Sequence, residues 1–211
     1  MAYISHKHKL LFVHIYKTAG MSVRELMKNL DESSINVLSG HSDILETLTF
    51  LQENALFNIC LNYHRFSVVR NPYTWLYSIY KFAISIERHP FHQKCTSIEF
   101  DEFVNWYIDN EEFLNLKKDL NGKLQTQTDY IFINGVKYVD TILKHENLYS
   151  DMNTMLKYLH ILNDEKLVMP KINQTIYDKE LNCVNILNRK TLNKINEKYE
   201  QDFINFKYDK L

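Results

Sequence analysis

Apolar positions along this chain alternate between two rhythms. Leu10–Ile15 (LLFVHI) is a short apolar run and reads as a buried strand. Past Lys17–Gly20 the spacing changes to i, i+3, i+4, i+7 with Val23, Leu26, Met27 and Leu30, which predicts a helix. Ile35–Leu38 predicts a second strand, and Ser42 reads as the N-cap of a helix carrying Leu45, Leu48 and Leu51. Phe66–Arg70 (FSVVR) is the clearest second core strand. Asn71-Pro72 ends it, and Pro72 suits the first turn of a helix from Tyr73 to about Glu87. That helix is apolar nearly all round, so its Ser78 stands out. Arg88–Ser97 reads as a polar loop. Helices at about Glu99–Asn110 and Ser150–Leu162 flank a strand at Tyr138–Lys144, and a final helix begins at Thr191. Strands alternating with helices imply an α/β fold of three layers, a central and mostly parallel sheet flanked by helices. With no repeat and no Pro/Gly/Ser linker, residues 1–211 read as one domain.

Composition narrows the chemistry. A net charge of −1 on 211 residues leaves no global field to hold nucleic acid or an acidic membrane, so any bound anion needs a local site. Only 4 Gly and 3 Pro beside 13% aromatic residues favour long helices over an all-β fold. Cys60, Cys95 and Cys183 form no Cys-x-x-Cys pair, which suggests neither zinc nor a disulfide framework but reduced thiols in a cytoplasmic setting. Leu10–Ile15 is too short for a membrane span, and no other stretch approaches one.

In such folds ligands bind at the carboxyl ends of strands. The first strand-to-helix corner is His14-Ile15-Tyr16-Lys17-Thr18-Ala19-Gly20-Met21-Ser22. Ala19 and Gly20 allow close approach to the backbone, the helix start offers N–H groups, and Lys17, Thr18 and Ser22 add a charge and two hydroxyls. That set suits a terminal phosphate-like group, or equally a plain turn with a solvated lysine. It is not a G-x-x-x-x-G-K-[ST] loop. The second corner, Phe66-Ser67-Val68-Val69-Arg70-Asn71-Pro72, ends in Arg70, with Ser78 about two helical turns later. A guanidinium and a hydroxyl suit a second phosphate, although Arg70 could instead pair with a carboxylate.

FVHIYKTAGMS resembles the phosphosulfate loop of sulfotransferases, a strand followed by P-K-T-A-G-T-S. FSVVRNPYTWLYSIY resembles their 3′-phosphate motif, V-R-N-P-x-x-R-x-x-S-x-Y. Agreement continues through SIEFDEF, LQTQTDYI, VDTILKHENLYSDM, MPKINQT and YEQDFINFKYD. The chain resembles the carbohydrate-sulfotransferase-like family, the group related to heparan sulfate 2-O-sulfotransferases, with its P-loop-like fold. The resemblance implies a donor, 3′-phosphoadenosine 5′-phosphosulfate (PAPS), leaving as 3′,5′-bisphosphate (PAP), and no metal. Lys17, Thr18, Ala19, Gly20, Met21 and Ser22 would hold the phosphosulfate, Arg70 and Ser78 the 3′-phosphate, and Asn173 in KINQT would contact the nucleotide.

The implied acceptor is a hydroxyl, of a saccharide by family likeness, and it needs a base. His41, between a predicted strand and a helix start, is the first candidate; Lys17 assists as a cation where charge develops, and His64 is the second candidate. His14 reads as a core histidine. The chain departs from the family at Tyr16, in place of Pro, at Met21, in place of Thr, and at Trp75, in place of Arg. These departures bear on turnover more than on fold. They keep open a catalytically silent PAP- or PAPS-binding protein, whereas an ATP-dependent phosphotransferase lacks both a Walker loop and a magnesium-binding acid.

Overall fold

A computed structural model describes residues 2–38, 40–110, 126–163, 167–170 and 180–211. The chain divides into two compact units, Met1–Val69 with Gln127–Gln174 and Arg70–Thr126 with Thr175–Leu211.

The first unit carries a five-stranded sheet in the order β3-β1-β2-β4-β7. Its strands are β1 (Ala2–Ser5), β2 (Leu10–Val13), β3 (Ile35–Leu38), β4 (His64–Val69) and β7 (Thr141–Lys144); β5 (Phe132–Ile133) and β6 (Val136–Lys137) form a separate small hairpin. β2, β4 and β7 pair in parallel, with Val13 beside Ser67 and Val69 beside Lys144. β1 runs antiparallel to both β2 and β3, so four of the five strands point one way. α1 (Gly20–Leu30) supplies Val23, Leu26 and Met27, and α8 (Leu148–Tyr158) supplies Met152, Met155 and Leu156, to one core with Tyr3, Leu10, Phe12, Phe66, Val68 and Leu143. Helical and strand periodicity thus meet on one sheet face. α2 (Ile44–Glu53), α3 (Phe57–Cys60) and α7 (Gln127–Ile131) complete the unit.

The second unit is helical: α4 (Pro72–Ser85), α5 (His92–Ser97), α6 (Phe100–Asp109), a 3₁₀ turn, α9 (Arg189–Lys198) and α10 (Glu200–Phe206). Rings hold it together. Tyr80 lies 5.5 Å from Phe100 and 5.3 Å from Phe103, and Phe91 meets Trp106 edge-on at 5.5 Å. Asp101 accepts from the Asn188 backbone N–H (2.8 Å) and its side-chain amide (2.7 Å), tying α6 to the start of α9.

The expected mixed α/β fold with a mostly parallel sheet is present, with one addition and three local corrections. His6–Lys9 forms the turn of a β1–β2 hairpin, where His8 Nε2 and Lys7 Nζ reach the Leu30 carbonyl and cap the end of α1. The cap of α2 is Asp43 rather than Ser42: its carboxylate accepts from Glu46 N (2.8 Å) while Glu46 accepts from Asp43 N (3.1 Å), a reciprocal box that Ser42, with Leu45 three residues on, cannot form. Arg88–Ser97 is not all loop, because Phe91 and Cys95 are buried four residues apart and draw His92–Ser97 into a helical turn. The C-terminal segment is two helices that break at Tyr199.

Candidate functional site at two strand-to-helix corners

At the first corner β2 ends at Val13 and α1 begins at Gly20. Lys17 (φ 60°) and Ala19 (φ 67°, ψ 23°) both sit in the left-handed region. For residues with a Cβ this costs about 1–2 kcal/mol each. Left-handed residues are a component of the backbone nests that bind anions in other proteins. The N-cap of α1, Ala19, makes no side-chain cap bond, and no acidic residue occupies the helix's first turn, an arrangement compatible with an anion at its dipole end. The hydroxyl of Thr18 donates to the Ile15 carbonyl (2.8 Å) and is fully buried, which braces the turn. Ser22 is buried and Met21 half-buried. Ser67 of β4 donates to the Val13 carbonyl (2.7 Å), fixing the strand end from which the loop departs.

Behind this loop stand two imidazoles. His14 is 5% exposed, stacks on Phe12 at 5.7 Å and meets the His41 ring edge-on at 4.7 Å. His41 also meets Tyr16 edge-on at 4.8 Å. Gly20 touches His14 so closely that a Cβ there would stand 1.8 Å from ring atoms Cδ2 and Nε2. Burial holds His41 down to about 4, with Lys17 adding to the effect and contact with the His14 backbone opposing it. His14 is held well below the ordinary histidine value, by burial first and then by His41, Arg24 and Lys17. Both rings are therefore neutral near pH 7, and the Nδ1 atoms of both are buried without a hydrogen-bond partner.

The second corner follows β4. Arg70 is 2% exposed, and its Nε donates to the Thr74 hydroxyl (3.2 Å), which in turn donates to the Asn71 carbonyl (3.2 Å). Asn71 caps α4 by accepting from Tyr73 N (3.0 Å), and Pro72 fills the first helical position. Ser78 is also buried, on α4 with Trp75, which meets Tyr199 edge-on at 5.7 Å. Trp75 is thus a packing residue where the family motif has Arg.

The sequence matches the sulfotransferase family model over residues 1–209. The chain belongs to the sulfotransferase family. No curated protein and no solved structure matches it. For a sulfotransferase-family chain, sulfuryl transfer is the general chemistry, which calls for a sulfate donor and an acceptor.

Among the sequence candidates, the structure brings His41 to the Lys17–Ser22 loop through His14 and Tyr16. His64 is removed from consideration: it begins β4, in register with Leu10, at the far end of the sheet from the loop, and its Nε2 is engaged with the Thr141 hydroxyl (2.8 Å). Asn173 lies outside the described residues. Sequence reasoning passed over Thr74, which aims Arg70, and gave His14 only a core role. The available signals were the i+4 spacing of Thr74 from Arg70 and the bare α-carbon of Gly20. His89 and His92 are engaged locally, His89 Nδ1 accepting from Phe91 N (3.1 Å) and His92 Nδ1 donating to the Ala83 carbonyl (3.0 Å). Among the described residues no cluster of three or more His, Cys, Asp or Glu side chains could hold a metal ion, and no helix is long and apolar enough to cross a membrane.

Proposed function

We propose that this chain transfers a sulfuryl group from PAPS to a hydroxyl of a carbohydrate, acting as one sulfotransferase-like domain over residues 1–211. The observation that carries the reading is the doubly left-handed Lys17–Ala19 loop opening an uncapped α1 in a sulfotransferase-family chain. Strain of that kind persists where a ligand uses it. In this reading Lys17, Ala19, Gly20, Met21 and Ser22 hold the phosphosulfate, Thr18 shapes their turn, Arg70 and Ser78 hold the 3′-phosphate, and Asn173 contacts the nucleotide. The carbohydrate acceptor rests on the likeness of SIEFDEF, LQTQTDYI and VDTILKHENLYSDM to the carbohydrate-type group.

The acceptor oxygen forms the new S–O bond in line with the bond that breaks, PAP leaves with that bond's electron pair, and the acceptor proton passes to His41. Lys17 and the loop N–H groups sit where negative charge grows on the departing oxygen. A neutral imidazole is the form a base requires, and an adjacent polyanion raises its proton affinity at the moment it is needed. Three buried, free cysteines fit a cytoplasmic setting.

Calorimetric titration with PAP and with ATP, followed by transfer of radiolabelled sulfate to a panel of saccharides, tests this. PAP binding with ATP silent, and label on a saccharide, is the expected result; ATP binding in preference to PAP overturns it. A second reading, a catalytically silent PAP- or PAPS-binding protein, draws on Trp75, whose packing against Tyr199 leaves no cation at the position of the motif's Arg. Tight PAP binding with no label on any acceptor selects it.

A further inference from the structure

His14 is an odd choice by packing criteria. It directly follows the core strand β2, is 5% exposed, stacks on the wholly buried Phe12, and keeps Nδ1 without a hydrogen-bond partner among the described residues. An isobutyl group would fill that space without burying an unpaired nitrogen. Departures from good packing of this kind gather at functional sites. What the imidazole touches supplies the reason. One edge rests on the α-carbon of Gly20, the first residue of α1, at a distance that excludes any side chain there. The same ring meets His41 edge-on at 4.7 Å, and His41 is closed from another side by Tyr16 at 4.8 Å. The charges acting on His14 are those of the chain's amino terminus, Arg24 on α1 and Lys17 in the loop, with His41 as the strongest titrating partner.

We propose that His14 is a positioning residue for sulfuryl transfer: seated on Gly20 and against His41, its ring holds the start of α1 and the His41 imidazole in one fixed relation. Three contacts converge on one planar side chain, so a shift of the loop must move the base, and a shift of the base must move the loop. Reacting groups displaced by about 1 Å lose on the order of 100-fold in rate, which is the scale such a spacer protects. This inference rests on the donor and base roles proposed above, but its test does not depend on turnover.

The test uses the full chain with His14→Ala, His14→Phe and His14→Leu. The readouts are the titration of the His41 ring by nuclear magnetic resonance, with and without PAP, and PAP affinity by calorimetry. Wild-type His41 is expected to titrate at about 4. In His14→Ala its midpoint should return toward the ordinary value of about 6.5 as the ring is released to water. PAP should then bind roughly tenfold more weakly, the scale of one lost hydrogen bond to a charged group. His14→Phe restores a flat ring on Gly20 and should recover both the low midpoint and the affinity. His14→Leu fills the volume without a flat edge and should behave like His14→Ala, deciding the matter should the alanine variant fail to fold. A His41 midpoint unchanged in folded His14→Ala or His14→Leu, or a wild-type midpoint near the ordinary value, overturns the proposal. Failure of the wild type to bind PAP would instead count against the donor assignment, while the titration in the unliganded protein would still decide the role of His14.

Discussion

The two strand-to-helix corners are built by opposite means. At the β2–α1 corner the backbone itself is distorted: Lys17 and Ala19 are left-handed, the helix has no side-chain cap, and a glycine lies against an imidazole. At the β4–α4 corner the backbone is ordinary. Asn71 caps the helix, Pro72 starts it, and the candidate group is a side chain, Arg70, whose Nε donates to the Thr74 hydroxyl one turn on. The first corner presents main-chain N–H groups, which only a particular chain path can aim. The second presents a guanidinium, which rotamer and hydrogen bonding can aim from a standard helix start. Substitutions should therefore act through conformation at the first corner and through side-chain chemistry at the second.

That contrast is easiest to break at Gly20. Gly20→Ala places a methyl on the His14 ring and should lower stability by about 3 kcal/mol, the upper range for overpacking, read as a lower denaturant midpoint together with lost PAP binding. Unchanged stability and affinity would mean that the Gly20–His14 contact is soft.

Mild acid should also select the first corner. The folded-state value of His41 is depressed to about 4 from 6.5, so the stability tied to its neutral form is fully present above pH 6.5 and is lost as pH falls through about 4. Between pH 7 and pH 5 that loss is roughly 2 kcal/mol, and His41→Gln should remove it. Equal acid sensitivity in His41→Gln and wild type would place the titrating group elsewhere.

Asn71→Ala removes a conventional cap and should cost about 1 kcal/mol in thermal or denaturant unfolding. The smallest effect has the opposite sign. Ala19→Gly relieves a left-handed alanine and, net of the extra freedom of the unfolded chain, should stabilise by about 0.5 kcal/mol. Destabilisation there would show that the alanine methyl packs usefully.

Long periodic segments were legible in the sequence. β2, α1, β3, β4, α4 and α6 lie where apolar spacing and Asn71-Pro72 put them. What escaped was short or tertiary in origin. Ala2–Ser5 offers four residues with no flanking signal, and it becomes a strand because it fits between β2 and β3. His92–Ser97 turns helical because Phe91 and Cys95 find a core, which no local pattern announces. The Lys17–Ser22 loop and Arg70 stood out in the sequence as candidate chemistry. The strain in the loop, the bond from Arg70 to Thr74 and the contact of His14 with Gly20 were not, because each depends on backbone dihedral angles or rotamers, at which the i+4 spacing and the glycine only hinted.

Calorimetric titration of PAP against wild type, Lys17→Ala and Arg70→Ala tests the central claim most directly. If the two corners grip one nucleotide, each variant should remain folded and bind PAP roughly 10- to 100-fold more weakly, the range for a lost charge-assisted hydrogen bond. Wild-type affinity retained in both variants would contradict the account.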